Sequence, residues 1–339
     1  MTSLPAGAGP PYGAGGEHVI VTVDGTDLRF PVHTGEPVLA AARRAGVWLP
    51  FECGWGSCGT CKVTVVDGEL VLLYPDAPAV DARDARRRRS IVCQATAGAD
   101  VTIKALRVGA TPERPTRDYV ATLAGVRPLG PAIHAFRFTL DQPADYRPGQ
   151  YALLHLGDGL HRCYSMAGLP GTLEVEFVAK DYARPGSAAL FALDVGDSVP
   201  LELPYGDMWL RPDSDRIVLV AGGTGIAPIL ALLRQLVAER PSEDVTVVFG
   251  ANTHPELVLW EELEDLVGAL PAGRLLGVLA QPPPDWSGEA GLVPDVLPGQ
   301  LSGGERVYLA GPPAMVDATL PVLRAAGVPL NRIHYDRFG

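Results

Sequence analysis

Cys53-Gly-Trp-Gly-Ser-Cys58-Gly-Thr-Cys61, with a further cysteine at Cys93, is the most telling stretch of this 339-residue chain. The spacing Cys-x4-Cys-x2-Cys followed by a distant fourth thiol is one that holds a [2Fe–2S] cluster through four thiolates. A loop wrapped closely around an anionic inorganic core needs residues free to take positive φ, so that backbone N–H groups point at sulfur. Gly54, Gly56 and Gly59 supply that freedom. Structural zinc more often sits between two Cys-x2-Cys knuckles, and a disulfide framework has no need of this glycine density. On these residues alone, zinc and buried unreactive cysteines remain the alternatives.

The flanking sequence extends the pattern. Val19 to Val23 alternates apolar and polar as a strand does, Asp24-Gly25 is a hairpin turn signal, and a second alternating run spans Leu28 to Val32. Glu36-Pro37-Val38-Leu39 opens a short Ala-rich helix that Gly46 stops. Strand, turn, strand, helix and cluster loop, in that order, resemble the plant-type ferredoxin domain over residues 17–108. The resemblance implies an α+β, β-grasp fold, with Cys53, Cys58, Cys61 and Cys93 as the metal ligands.

Hydrophobic residues make up 47% of the chain and charged ones 20%, as in ordinary soluble proteins, and the length suits two or three domains. Residues 1–16, rich in Gly, Pro and Ala, read as a disordered tail and not a signal peptide. No apolar run reaches the roughly 18 residues of a membrane span. Five cysteines, four committed as thiolates, suit a reducing interior, so the cytoplasm is the expected location. Residues 17–108 carry 11 acidic and 11 basic side chains, so the net charge of −11 arises after residue 108. A chain this acidic is a poor partner for nucleic acid, and a monomer is expected. The neutrality of the first part departs from the acidic character usual in plant ferredoxins. It owes much to Arg86-Arg87-Arg88-Arg89, which follows Asp81 and Asp84. Two readings stand: a solvated helical turn with local i,i+4 pairing, or a docking patch near the cluster.

Gly109 to Arg117 is a Pro-punctuated linker. Short strand signals follow at Tyr119–Val126, Ile133–Leu140, Gln150–Leu156, Leu173–Ala179 and Ser198–Leu203, which suggests a small antiparallel β-barrel over residues 118–212. From 213 to 339 the period changes. Strands at Ile217–Val220, Val245–Phe249, Leu275–Leu279 and Val307–Leu309 alternate with helical patterns at Ile226–Val237, Glu256–Val267 and Ala314–Ala325. That alternation predicts an α/β domain with a parallel sheet.

Arg162-Cys163-Tyr164-Ser165, with Pro148-Gly149-Gln150-Tyr151 upstream, resembles the flavin motif of the ferredoxin-reductase family. Arginine offers a bidentate fork for a pyrophosphate, tyrosine a flat face for a ring, and serine a hydroxyl for flavin N5. The resemblance implies FAD as the flavin. It also places the pyrophosphate at the helix opening around Gly186, Ser187 and Ala188, with Ser187 as N-cap, and Phe338 over the flavin face. Cys163 reads as a small buried hydrophobe.

Gly222-Gly223-Thr224-Gly225-Ile226-Ala227-Pro228 lies between a buried strand and a helix, where glycines let a pyrophosphate approach the helix start. Tyr308 to Met315 resembles the family's Cys-Gly-Pro-Pro-x-Met segment beside the nicotinamide. Gly311, Pro312 and Met315 match it, while Ala310 replaces the frequent cysteine; altered rate or affinity is expected there, not loss of activity. A 2′-phosphate usually meets Arg or Lys just after the second strand of such a domain. Residues 241–273 contain neither, but hold Glu243, Asp244, Glu256, Glu261, Glu262, Glu264 and Asp265. NADH is favoured over NADPH.

Taken together, residues 17–339 resemble the NADH-dependent reductase component of bacterial multicomponent oxygenases. That resemblance implies hydride transfer from NADH to FAD beside Ser165, then single electrons through the cluster to an oxygenase protein. A reductase of a ferredoxin, cytochrome or deoxysugar intermediate on the same scaffold is the alternative; a non-catalytic redox sensor is a more distant one.

Overall fold

The computed structural model describes residues 17–51, 54, 56, 58–109, 113–157, 160–212, 216–239 and 243–338. They gather into two compact units. The first runs through Asp118 and includes Leu153–Cys163 and Pro200–Tyr205; the second holds Tyr119–Ala152, Tyr164–Val199 and the chain from Gly206 onward.

In the first unit the expected hairpin forms from His18–Val23 and Arg29–His33, antiparallel, with Val21 opposite Phe30. Val21, Val23, Phe30 and Val32 are buried while their neighbours face outward, the period-two burial of a one-sided sheet. Val101–Ala105 pairs in parallel with the first strand and antiparallel with Lys62–Asp67. Arg89–Ile91 completes a mixed five-stranded sheet as an edge strand. The helix Val38–Arg44 lays Val38, Ala41 and Ala42 into the same core, and Gly46, at φ +73, ends it as expected. Cys61 and Cys93 belong to that core.

A second sheet of six strands runs in the order His161–Ser165, Tyr151–His155, Ser198–Tyr205, Arg117–Gly130, Ile133–Leu140 and Glu174–Lys180. An isolated antiparallel bridge from Met166 to Phe177 links residues at its first and last strands. The flavin-like tetrapeptide is therefore itself on a strand, where the sequence suggested only a position after one.

The third sheet is parallel throughout: Glu289–Ala290, Ala272–Leu279, Asp244–Ala251, Arg216–Gly222, Arg306–Gly311 and Ile333–Arg337. Successive strands step away from Arg216–Gly222 on one side and then resume on the other. The topological switch point thus falls between Arg216–Gly222 and Arg306–Gly311, the usual ligand position in an open α/β sheet. Helix Ile226–Glu239 is buried along most of its length against this sheet.

Two element starts differ from expectation. The helix expected from Glu256 begins at Trp260, because Thr253 and Glu256 close a separate turn and Leu259 sits at φ +61. The helix after Arg184 begins at Pro185, so Ser187 is its third residue and not its N-cap. No described helix is long and apolar enough to cross a membrane.

Candidate active site

The cluster loop has the backbone its glycines imply. Gly54, Gly56 and Gly59 sit at φ +72, +98 and +75. The Thr60 N–H points at Cys58 Sγ, 3.5 Å away, and the Gln94 amide donates to the Gly54 carbonyl at 3.1 Å. Cys61 and Cys93 are both buried, with their sulfurs 3.1 Å apart. That is well beyond the roughly 2.05 Å of a disulfide, so the fold gathers two sulfurs without joining them. Cys58 is exposed on the loop, and Cys53 lies outside the described residues. A buried pair of sulfurs, one from the end of a positive-φ loop and one from the turn Val92–Gln94, with an amide directed at the loop's Cys58 sulfur, suits a thiolate-bound cluster.

On the strand His161–Ser165, side chains alternate between two faces. Cys163 Sγ lies 3.5 Å from where a Cβ on Gly54 would stand, so the fifth cysteine packs on the cluster loop. Arg162 and Tyr164 project the other way; Arg162 Nη1 donates to the His161 carbonyl at 2.8 Å, and Tyr164 lies 6.2 Å from the Phe177 ring. Ser165 Oγ is buried and has no hydrogen-bond partner among the described residues. An orphaned buried hydroxyl costs about 1–3 kcal/mol, and a flavin nitrogen at this point would satisfy it. At the helix Pro185–Phe191, the Ala188 N–H is used inside the helix, donating to the Arg184 carbonyl at 2.9 Å. Ser187 Oγ accepts from the Tyr182 amide at 3.1 Å and is hydrogen-bonded to Asp181. Gly186 is buried beside them.

In the second unit the two nucleotide segments come together. Ala221 pairs with Ala310, which brings Gly222 and Gly311 side by side. A Cβ on Gly225 would stand 2.1 Å from the Ala310 carbonyl oxygen, and one on Gly222 would stand 2.4 Å from Met315 Sδ. Gly223, at φ +53, faces open space. Thr224 is half-buried in the same turn and Pro228 is buried in the first turn of the following helix. Pro312 caps the later helix, and the Phe338 amide donates to the Gly311 carbonyl at 3.0 Å. The glycine turn thus lies at the switch point with open space over Gly223 and a helix start directly after it, the kind of place where anions bind in such sheets.

A polar network escaped the sequence reading. Glu202 is buried in the strand Ser198–Tyr205 and meets Arg43, Tyr205 and, at 2.8 Å, His155 Nε2. Arg43 also reaches Asp118 at 2.9 Å. Burial opposes ionisation of Glu202, but Arg43 and His155 overcome it and hold the carboxyl down at about 2. Burial, with His155 beside it, pushes His161 down to about 4. A cavity lined in part by Gly54, Cys93, Leu153, His155 and Glu202 brings this network to the cluster loop. A lone glutamate in the apolar run Val199-Pro-Leu-Glu-Leu-Pro-Tyr205 was the available signal.

Comparison with known proteins follows the same division. Residues 21–98 match the 2Fe-2S iron-sulfur cluster binding domain, and residues 219–320 match the oxidoreductase NAD-binding domain. The ferredoxin–NAD(+) reductase component of the alkene monooxygenase system of Xanthobacter autotrophicus is 34% identical, over 91% of this chain and 97% of that one. The reductase component of phenol 2-monooxygenase from a Pseudomonas species is 32% identical over 94% of each. A solved structure of the ferredoxin reductase in carbazole 1,9a-dioxygenase superposes with a TM-score of 0.85 at 28% identity, covering 95% of this chain and 99% of that one. The chain belongs to the family of iron–sulfur flavoprotein reductases that form the electron-transfer components of multicomponent oxygenases.

Proposed function

We propose that this chain oxidises NADH and passes the electrons one at a time, by way of FAD and a [2Fe–2S] cluster, to the oxygenase component of its system. The observation that carries this reading is the contact of Cys163 with Gly54. The flanking residues of Cys163 are the flavin-like Arg162 and Tyr164, and the neighbour of Gly54 is the expected ligand Cys53. Cys163 thus sets the flavin-like tetrapeptide next to the cluster loop.

When bound, FAD supplies conversion between two-electron and one-electron chemistry, and the cluster supplies one-electron storage. Each NADH yields NAD+, a proton and two electrons. Cys53, Cys58, Cys61 and Cys93 hold the cluster as thiolates. Arg162 and the amides of Gly186 and Ser187 bind the FAD pyrophosphate, with Ala188 as part of the helix wall. Tyr164 and Phe338 would cover the ring, and the unpartnered Ser165 Oγ would donate to its N5. Gly222, Gly223, Thr224 and Gly225 take the NADH pyrophosphate, Pro228 fixes the turn, and Gly311, Pro312 and Met315 line the nicotinamide. Orientation by these groups, more than acid–base chemistry, is what hydride transfer requires. The six-stranded sheet closed by Met166–Phe177 is read as a flavin-binding barrel over 118–212, between a ferredoxin domain at 17–108 and an NAD domain at 213–339. A cytoplasmic monomer fits this role.

Anaerobic NADH is expected to bleach overlapping flavin and iron–sulfur absorption together. Cys58→Ser should keep NADH-driven dye reduction while cytochrome c reduction falls at least about tenfold. Undiminished cytochrome c reduction in that variant would overturn the reading, as would a colourless protein containing zinc.

A further inference from the structure

Arg83, Arg86, Arg87, Arg88 and Arg89 are all exposed, and none forms an ion pair among the described residues. The two carboxylates of the segment itself, Asp81 and Asp84, are engaged otherwise, and Arg88 Nη2 donates to the Gly68 carbonyl at 2.6 Å. Asp81 accepts the amides of Arg83 and Asp84 at 2.8 Å each, capping the helix Ala82–Arg86. Asp84 is buried and takes Lys62 Nζ at 2.7 Å. The local i,i+4 pairing that the sequence allowed is therefore not what this segment does. Asp67, Glu69 and Asp76 are exposed on the flanking turns.

The same segment is tied to the cluster loop at three points. Ala79 N–H donates to the Gly56 carbonyl at 2.9 Å. Lys62, bonded to Asp84, lays its Cε 3.3 Å from where a Gly59 Cβ would stand. Arg89 begins the edge strand that leads through Ile91 to Cys93. On the loop itself, Cys58 and Thr60 are exposed. The Arg88 carbonyl accepts the Val65 amide at 2.8 Å, which sets the exposed Val66 next to the arginine segment, and Val71, Leu73 and Tyr74 are exposed on the strand and turn that follow. Exposed aliphatic and aromatic side chains beside arginines are the composition that protein interfaces favour.

We infer that this arginine face is the docking surface for an acidic protein that accepts single electrons from the cluster; the inference rests on the function proposed above. The charge distribution of the whole chain argues for the same partner. The net charge of −11 arises entirely beyond residue 108. The acidic sequence beyond residue 108 repels an acidic partner, whereas the arginine segment beside the exposed cluster loop attracts it, so charge favours an encounter at that segment. A basic partner would be steered the opposite way.

The test uses full-length, cofactor-loaded protein reduced by NADH and two protein acceptors of opposite charge, an acidic Rieske-type ferredoxin, whose potential lies well above that of the plant type, and the basic cytochrome c. Wild type should reduce the ferredoxin with a bimolecular rate constant that falls about tenfold as ionic strength rises from low to physiological and beyond. Combined Arg83→Gln, Arg86→Gln and Arg87→Gln should lower the low-salt ferredoxin rate by about tenfold, flatten its salt dependence, and leave bleaching by NADH unchanged. A ferredoxin rate indifferent to salt in wild type would overturn the inference without any variant. An unaltered low-salt rate in the triple variant would also overturn it. Failure of NADH to bleach wild-type flavin and cluster would instead sink the functional reading beneath it.

Discussion

At Gly222 and Gly225 a single methyl group separates two kinds of obstacle. A Cβ at 225 meets the backbone oxygen of Ala310 at 2.1 Å, whereas one at 222 meets the end of the flexible Met315 side chain at 2.4 Å. A thioether can rotate away; a strand carbonyl in a parallel sheet cannot without breaking its ladder. Gly225→Ala should therefore cost several kcal/mol of stability or abolish NADH binding, while Gly222→Ala should raise the KM for NADH by about tenfold or less with little loss of folding. Thermal unfolding and NADH titration of the two variants would separate them; equal damage at both sites would refute the distinction. The glycines were legible in the sequence because only their chemistry permits the approach. The reason each is needed was not, since Ala310 and Met315 reach them across 85 and more residues of chain. Ser187 shows the converse. A serine near a helix start reads as an N-cap, yet here its hydroxyl serves the Tyr182 amide from inside the first turn.

The strand Ser198–Tyr205 shows why whole elements can be right and their function unread. Its position was visible in the alternation, but besides Tyr205 on the same strand Glu202 finds its partners in Arg43 and His155, on segments no local pattern connects. Removing one member of such a buried pair typically costs about 3–5 kcal/mol, because the partner charge is left uncompensated. Glu202→Ala should accordingly unfold at markedly lower temperature than wild type. The neighbouring His161 gives the element a pH response. Its folded value of about 4 lies below the ordinary 6.5, so the unfolded chain takes up the proton first. The stability it contributes is complete above pH 6.5 and drains away as the pH falls toward 4, amounting to about 2 kcal/mol by pH 5. Glu202, held near 2, adds a second loss only between about pH 4.5 and 2. Urea midpoints at pH 7 and pH 5 should therefore converge in His161→Gln relative to wild type. If the variant retains the full wild-type pH dependence, the proton goes elsewhere.

Over the whole molecule, coenzyme choice is a question of where charge lies around a phosphate dianion. The stretch 241–273 holds seven carboxylates and no Arg or Lys, which reads as exclusion of the 2′-phosphate. The fold adds what that stretch could not disclose. Lys180, at the end of a strand in the other sheet, is brought to the loop after Asp244–Ala251, where Glu256 takes its ammonium at 2.5 Å. Burial opposes ionisation of Glu256, but Lys180 and the amides of Thr253 and Asn252 hold its carboxyl below the ordinary range, so it is charged at neutral pH. A cation is present after all, and a carboxylate occupies it. Glu256→Gln keeps an acceptor for the turn amides, since glutamine also closes a capping box, while removing the negative charge and releasing Lys180. The ratio of kcat/KM for NADPH to that for NADH should then rise about tenfold, equivalent to roughly 1.4 kcal/mol of discrimination. Adding Lys180→Gln should cancel the gain, because the released ammonium is its source. A ratio that stays at the wild-type value in Glu256→Gln would mean that the remaining carboxylates of 241–273, and not this ion pair, exclude the phosphate.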